Sequence, residues 1–430
     1  MGMGRRLGRK LALLGVLGLL LSACTIQREG GAPAAPAPSG GTQQAPAAAE
    51  PFKVGFVVSF SGTYAALAED QWRGAQLAAK QINAKGGILG RPIQLIRRDD
   101  KLDPGEAARV TQEVIQSEKV HMIIGSMSAA TALPINEQAK RAGIPYIGIA
   151  QSDQLTRAQH RGPYTFHEAL TPSMDGIAFG EWILDNLGKR VVFLMPDYAF
   201  GKEHYDAFKL VFDKRNVREL AALWFPLGNT DFTSYLTQIQ SIKPNVVITA
   251  ALGNDAVNLL KQIQSFGLTK DIKWFFSVVD LQGDMAAGFD NIQNTYGGMS
   301  FYWELMDKVP SAKAFVEAYQ AEYGVPPSGY AGYAYSAVHV TALAAQKAGT
   351  ITNYDAWAKA LEGMEYDTYK GKQWYRACDH QAIQRMFIAR GRSKQEAEAL
   401  GRGKYGFREI VAVIEPYDGM ERSCADRGYK

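Results

Sequence analysis

The stretch that most constrains the fold is residues 51–100, where a strand, a helix and a second strand follow one another. Residues 54–58 form a nearly continuous apolar run, typical of a strand buried on both faces of a parallel sheet. Ala75, Ala79 and Ile82 then share one face of a helix, and another apolar run ends the stretch. Such a βαβ unit binds ligands beyond the carboxyl ends of its strands.

Three segments of this stretch carry a family resemblance. They are Val-Gly-Phe-Val-Val-Ser-Phe-Ser-Gly-Thr-Tyr from position 54, Arg-Gly-Ala from position 73, and Ile-Asn-Ala-Lys-Gly-Gly-Ile-Leu-Gly-Arg-Pro-Ile from position 82. They resemble the start of the substrate-binding proteins of branched-chain amino acid ABC transporters, and the likeness extends over residues 51–390. The resemblance implies an α/β, type I periplasmic binding protein fold, with two doubly wound Rossmann-like lobes, a three-crossing hinge and a cleft that closes around the ligand.

Strand and helix patterns alternate through most of the remaining chain, which favours parallel sheets throughout. In the family the chain crosses between the lobes three times. By that resemblance we expect lobe 1 to comprise residues 51–170 plus about 296–350. Lobe 2 would comprise residues 171–295 plus about 351–430.

The first 23 residues are predicted to be a lipoprotein signal peptide. A basic head precedes a short apolar run and Leu-Ser-Ala-Cys, which resembles the bacterial lipobox ending at Cys24. By that resemblance Cys24 is lipidated and anchors the protein outside the cytoplasm; the alternative is an ordinary secretory signal with an incidental cysteine. Residues 24–50, rich in Ala and Pro, are expected to be a flexible tether.

Charge argues against nucleic acid as a partner. Four of the 47 basic residues precede Cys24 and no acidic residue does, so the mature chain carries 43 basic and 43 acidic residues. We assign no function to residues 391–410, which look like a surface insertion of mixed charge.

Catalytic, cofactor and metal signatures are missing from the sequence. There is no phosphate loop, no His-Glu-x-x-His, no Gly-x-Ser-x-Gly and no cysteine pair at zinc spacing. We therefore expect no enzyme activity, no cofactor and no metal. An extracytoplasmic hydrolase would need a nucleophile and a base that the sequence does not present.

The loop at residues 125–131 is the predicted carboxylate site. It lies between a strand and a helix, where free N–H groups and a positive helix terminus meet several hydroxyl groups. In the family this loop holds the ligand carboxylate, and the matching position is Ser128 or Ala129. Ser128 could instead only cap the helix. The residues of this loop that we predict to bind ligand are Ser126, Ser128, Ala129 and Thr131.

A second loop follows the next strand. The family usually has Ala-Thr where this chain has Ala150 and Gln151. Ala150 can still donate its N–H, while the hydroxyl contact depends on Ser152. We predict that these three residues bind ligand.

Two further candidates come from lobe 2. Phe200 stands where the family commonly has an aromatic residue over the ligand, and Tyr198 is the second candidate; either could be only core packing. Asp280 follows a predicted strand where many relatives have an acid that pairs with the ligand ammonium. It could equally be a helix cap.

Cys378 and Cys424 remain as a pair once Cys24 is assigned. Outside the cytoplasm such a pair commonly oxidises, so we predict a disulfide that pins the terminal tail to residues 374–380.

Together these observations predict a lipid-anchored receptor that captures a small amino acid or related carboxylate. Its implied partners are an ABC permease with its ATPase, and the membrane through the anchor. The alternative function is a sensory or regulatory module of the same fold, which would recognise an amide or an aromatic acid.

Overall fold

Two sheets flanked by helices form the frame of residues 49–430, the part of the chain that this computed structural model describes. These residues make up one compact unit. The predicted signal peptide, the lipidation site Cys24 and nearly all of the predicted tether lie outside the described residues. Among the helices described here, none combines the length and apolar character needed to cross a membrane.

The first sheet is wholly parallel, with the strand order β2-β1-β3-β4-β5. Its strands are β1 (Phe52–Val58), β2 (Ile93–Asp99), β3 (Met122–Gly125), β4 (Tyr146–Gly148) and β5 (Thr165–His167). The helices between them are α1 (Ala65–Ala84), α2 (Pro104–Gln116) and α3 (Ala129–Ala142). The side chain of Asp103 caps α2 as the sequence predicts, by accepting a hydrogen bond from the N–H of Glu106.

The second sheet has seven strands in the order β15-β14-β10-β9-β8-β6-β7. Its first five are β6 (Val191–Pro196), β7 (Ala221–Phe225), β8 (Val246–Thr249), β9 (Lys273–Phe276) and β10 (Thr295–Met299), all mutually parallel. A small separate sheet follows, with strands β11 (Glu365–Tyr366), β12 (Gln373–Tyr375) and β13 (Ala382–Ile383). The antiparallel strands β14 (Met386–Gly391) and β15 (Arg408–Ile414) complete the seven-stranded sheet.

The remaining helices cover these sheets. They are α4 (Pro172–Asn186), α5 (Ala199–Lys214), α6 (Thr233–Ile242), α7 (Asn254–Ser265), α8 (Leu281–Ala287), α9 (Phe289–Ile292), α10 (Pro310–Tyr323), α11 (Gly329–Ala348), α12 (Tyr354–Leu361) and α13 (Lys394–Ala399). Helix α11 packs closely on α1, where a Cβ atom at Gly74 would lie 2.1 Å from the carbonyl oxygen of Ala331. Only glycine permits this approach.

Two sequence expectations need correction. The strand near residue 296 was expected to return to lobe 1, but β10 pairs with β9 in the seven-stranded sheet, so the crossing begins only after Met299. Residues 391–410 were interpreted as a surface insertion, but they contain α13 and lead into an edge strand of the same sheet. Arg408 is fully buried there because its guanidinium pairs with the carboxylate of Asp284 at 2.6 Å.

The connections between the two large sheets meet at a buried lysine. Lys370 donates hydrogen bonds from Nζ to the carbonyl oxygen of Ser300, at 2.9 Å, and to Oε1 of Gln384. Gln384 in turn donates from Nε2 to the carbonyl oxygen of Glu168 at 2.8 Å. Ser300, Gln384 and Glu168 each stand where the chain passes between the sheets, so the side chains of Lys370 and Gln384 together link all three crossings.

Candidate functional site

The two sheets face each other across a closed cleft at the carboxyl ends of their parallel strands. The hydroxyl groups of Tyr64 and Tyr198 form a hydrogen bond across it. Nearby, a Cβ atom on Gly253 would lie only 2.7 Å from the carbonyl oxygen of Thr63. The contact between the two sides is therefore tight enough to require glycine at this point.

Two cavities of about 10 Å³ each remain inside the cleft. We call the first the aromatic cavity; it is lined by Tyr64, Met127, Ser128, Ala129, Gln151, Tyr198, Phe200, Leu252 and Tyr330. We call the second the hinge cavity; its polar lining comprises Gln151, Asp175, Ser277, Asp280, Ser300, Tyr330 and Tyr333. Gln151 and Tyr330 line both cavities, so the two are neighbours.

The predicted carboxylate loop contributes two of its four candidates to the aromatic cavity. Ser128 and Ala129 line it. Ser128 also caps α3, because its Oγ accepts a hydrogen bond from the N–H of Ala130 at 3.2 Å. The hydroxyl groups of Ser126 and Thr131 instead donate to the carbonyl oxygen of Ser128, at 2.7 Å and 3.2 Å, and neither residue lines a cavity.

Only Gln151 of the second predicted loop reaches the cavities. Its Nε2 lies 3.4 Å from Oδ2 of Asp175, and its buried Oε1 has no hydrogen-bond partner. The carbonyl oxygen of Ala150 accepts a hydrogen bond from Nε2 of His167 at 2.6 Å. The Oγ of Ser152 accepts one from the N–H of Gln154 at 3.1 Å, so Ser152 shapes the loop.

The two predicted aromatic residues lie together on the far side of the aromatic cavity. Tyr198 immediately precedes α5 and Phe200 is in its first turn, with ring centroids 6.0 Å apart. Phe200 is also packed against His204, at a centroid distance of 4.3 Å, and only 5% of its surface is exposed. Phe200 is thus both a core residue and part of the cavity wall.

Asp280 caps a helix and also lines the hinge cavity. Its Oδ1 accepts a hydrogen bond from the N–H of Gly283 at 2.9 Å and so caps α8. The residue also lines the hinge cavity. Burial raises the pKa of Asp280 to about 7, against the smaller lowering effect of the Gly283 N–H.

Asp175 and Ser277 are site residues that the sequence analysis missed. Asp175 lies in the first turn of α4, where an acid looks like an ordinary N-terminal charge. Its Oδ2 is 3.0 Å from Nε2 of His204, while its buried Oδ1 has no partner. The buried Oγ of Ser277, which follows β9, has no partner either. Both residues line the hinge cavity.

Asp175 and His204 are in direct contact. The Nδ1 of His204 is 2.9 Å from the carbonyl oxygen of Phe200, and its Nε2 faces the Asp175 carboxyl group at 3.0 Å. Burial raises the pKa of Asp175 to about 6, partly offset by the hydrogen bond from His204.

The charged residues that line the two cavities are all acidic. Among the described residues that line either cavity, two are aspartates and none is a lysine, arginine or histidine. Within residues 49–430, no group of three or more His, Cys, Asp or Glu side chains is arranged to hold a metal ion. A ligand cation would therefore be the natural partner of the acceptors in the hinge cavity.

Comparison with known proteins agrees with this architecture. The family of periplasmic binding proteins matches residues 51–396. An amino acid binding protein of Pseudomonas aeruginosa is 27% identical over 329 residues, which cover 74% of this chain and 84% of the relative. A Leu/Ile/Val-binding protein of Rhizobium johnstonii is 26% identical over 77% of this chain and 89% of its own.

A crystal structure of a periplasmic binding protein from Burkholderia mallei superposes with a TM-score of 0.77 at 27% identity. The match covers 85% of this chain and 95% of that protein. The cleft therefore lies between the lobes of a type I periplasmic binding protein fold. The chain belongs to the periplasmic binding protein family, among the substrate-binding proteins of the branched-chain amino acid ABC-transporter type.

Proposed function

We propose that this protein is an extracytoplasmic lipoprotein that binds an α-amino acid between its lobes and delivers it to an ABC importer. The observation that carries the proposal is the set of unpartnered acceptors in the hinge cavity. Oε1 of Gln151, Oδ1 of Asp175 and Oγ of Ser277 are buried there without partners. A buried acceptor without a donor costs about 1 to 3 kcal/mol, so a ligand that supplies donors gains affinity.

A primary ammonium group fits these acceptors. It presents three N–H donors and one positive charge, and Asp280 supplies a carboxylate beside them. Oδ2 of Asp175 already contacts Nε2 of His204, so Asp280 would be the main charge partner of the ammonium. Asp175 and Ser277 would complete its hydrogen bonds.

The carboxylate end of the ligand would lie in the aromatic cavity. Ser128 and Ala129 stand at the N-terminus of α3, a helix of 14 residues whose first N–H groups point along its axis. Tyr64, Tyr198 and Phe200 would cover the side chain of the ligand. The two ends of the amino acid would thus contact different lobes, which explains closure of the hinge on binding.

The lobes are proposed to follow the two large sheets. Residues 51–170 with about 300–350 would move as lobe 1. Residues 171–299 with about 386–414 would move as lobe 2. The permease would recognise the closed arrangement.

The anchor is proposed from the sequence alone. Cys24 would become the lipidated first residue of the mature chain. Mass spectrometry of the membrane fraction should show a diacylated N-terminal cysteine. An unmodified Cys24, or cleavage at another position, would contradict the anchor.

A thermal-shift screen tests the ligand class. L-leucine, L-isoleucine or another α-amino acid should raise the melting temperature, because a ligand that binds only the folded state stabilises it. Benzoate and acetamide, which lack an ammonium group, should leave it unchanged. A shift with benzoate or acetamide alone would favour the sensory or regulatory alternative.

A further inference from the structure

The C-terminal tail lies outside the region that the family matches, which ends at residue 396. Strand β15 ends at Ile414 in the seven-stranded sheet, yet the tail then runs back to a loop of the five-stranded sheet. We call residues 421–429 the strap. We call residues 150–156, which contain Gln151, the ligand loop.

Arg427 is the main contact between the strap and the ligand loop. Its side chain is 1% exposed. Its Nη2 donates to the carbonyl oxygen of Asp153 at 3.1 Å and to Oγ1 of Thr156. Two carboxylates lie beside it: Oδ2 of Asp379 is 3.1 Å from Nε, and Oε1 of Glu421 is 3.0 Å from Nη1. Nη2 makes the directed hydrogen bonds, whereas Nε and Nη1 have no hydrogen-bond partner among the described residues and meet the two carboxylates as ion pairs only. The two bonds from Nη2 are therefore what ties Arg427 to Asp153 and Thr156.

The backbone of the strap adds two contacts to the same loop region. The carbonyl oxygen of Arg427 accepts a hydrogen bond from the N–H of Ala158 at 3.0 Å. The hydroxyl group of Tyr429 donates to the carbonyl oxygen of Thr156 at 2.7 Å. The C-terminal end of the ligand loop is thereby held by the strap.

The other end of the strap contacts the start of α4. Glu421 accepts a hydrogen bond from Oγ1 of Thr171, and Nε of Arg422 donates to Oγ of Ser173 at 2.8 Å. The same Ser173 hydroxyl donates to Oδ2 of Asp153 at 2.8 Å. The strap therefore joins the ligand loop to the helix turn that carries Asp175.

A covalent bond anchors the strap between these two ends. Cys424 forms a disulfide with Cys378, with a Cα–Cα distance of 6.2 Å. Asp379, the partner of Arg427, directly follows Cys378 in the chain. The disulfide and the Arg427–Asp379 ion pair thus attach the strap to the same segment.

We propose that the strap positions the ligand loop, with Arg427 as the positioning residue and the Cys378–Cys424 bond as its anchor. By fixing Asp153 and Thr156 within the ligand loop, Arg427 holds Gln151 where it lines both cavities. The inference rests on the proposed function, because it assigns the loop to an amino acid site. Arg427 itself does not contact the ligand.

Two measurements on the full chain test this inference. The first is hydrogen exchange of the amides of residues 151–158 without added amino acid. The second is the dissociation constant of L-leucine by calorimetry. In Arg427→Ala we expect roughly ten-fold faster exchange in this segment and roughly ten-fold weaker binding of leucine, as for the loss of one charged hydrogen bond.

Three further variants separate positioning from general destabilisation. Arg427→Lys should recover part of both effects, because it keeps the charge but lacks the planar fork. Cys378→Ser/Cys424→Ser should move both readouts in the same direction as Arg427→Ala. Arg392→Ala is the matched control: it removes another buried ion pair, with Glu304 at 2.6 Å, and should leave the exchange of residues 151–158 unchanged.

Unchanged exchange of residues 151–158 in Arg427→Lys and in the double serine variant would overturn the inference even if Arg427→Ala fails to fold. Faster exchange with unaltered leucine affinity would also overturn it, since the loop would then be held for stability alone. If the wild type binds no α-amino acid, the proposed function fails. The exchange measurement would then still decide whether the strap holds the loop.

Discussion

The hydroxyl group of Tyr64, in the turn between β1 and α1, forms a hydrogen bond with that of Tyr198, at the start of α5. The two residues belong to elements of different sheets, so this bond exists only while the cleft is closed. Both rings line the aromatic cavity. Closure and ligand cover therefore depend on the same pair of side chains.

Removing this hydroxyl contact should weaken ligand binding without unfolding the protein. A neutral hydrogen bond contributes about 0.5 to 1.5 kcal/mol, so Tyr198→Phe should raise the dissociation constant of leucine roughly two- to ten-fold. The double variant Tyr64→Phe/Tyr198→Phe should weaken leucine binding no more than either single change, because both remove the same hydrogen bond. Tyr164→Phe removes an exposed hydroxyl contact with Asp355 and is the control. Equal affinities in all variants would exclude a role in closure.

Ligand affinity should rise with pH through the titration of Asp280. Its pKa is about 7, and an ammonium pairs with the ionised form. About one tenth of Asp280 is ionised at pH 6 and about nine tenths at pH 8, which predicts roughly nine-fold tighter binding of leucine. Asp280→Asn should remove this dependence. Parallel pH profiles for wild type and Asp280→Asn would refute the assignment.

The same raised pKa has the opposite effect on the stability of the unliganded protein. The pKa of Asp280 is about 4 in the unfolded chain and about 7 in the folded protein, so between these pH values the folded state binds more protons than the unfolded state. Asp280 therefore lowers the free energy of unfolding as the pH rises from about 4 to about 7. Comparing urea unfolding of wild type and Asp280→Asn across this range isolates the contribution of Asp280.

Lys370 should make stability rise with pH above neutrality. Burial lowers its pKa to about 7, so between this value and about 10.4 the unfolded state binds more protons than the folded state. The free energy of unfolding should increase by about 2 kcal/mol between pH 7 and 9 relative to Lys370→Met. Urea unfolding at both pH values measures this difference. The assignment would be wrong if both proteins had the same pH slope.

The disulfide should also contribute to the stability of the unliganded protein. Cys378 and Cys424 are 46 residues apart, and closing such a loop stabilises the folded state by about 2 to 4 kcal/mol. Cys378→Ser/Cys424→Ser should lower the free energy of unfolding by this amount. A protein beginning at residue 25 should contain no thiol that reacts under native conditions. Two reactive thiols there would disprove the bridge.

The sequence predicts the layered α/β architecture well because strand and helix patterns are local. The family resemblance placed the strand near residue 296 in lobe 1, and the short segment of β10 carries no local pattern that assigns it to either sheet. Only pairing with β9 decides its place. The burial of Arg408 is not predicted for a similar reason. A basic residue is normally expected at the surface, and Asp284, which allows the burial of Arg408, is 124 residues away in the chain.

The candidate site is predictable to a smaller extent. Gln151 and Asp280 follow strands, so a local pattern places them near the cleft, where both line the hinge cavity. Asp175 lies in a helix and has no such signal, and although Ser277 directly follows β9, its role was missed as well. An unpartnered buried oxygen is recognisable only when every neighbouring donor is known. The hydrogen bonds between the strap and the ligand loop are likewise invisible in the sequence, since they join residues more than 200 positions apart.

The most direct test of the account is isothermal titration of L-leucine into wild type and Asp280→Asn at pH 8. We expect one saturable site in the wild type and binding weaker by ten-fold or more in Asp280→Asn, because one charge-assisted hydrogen bond is lost. Equal affinity in the two proteins would contradict an ammonium site in the hinge cavity.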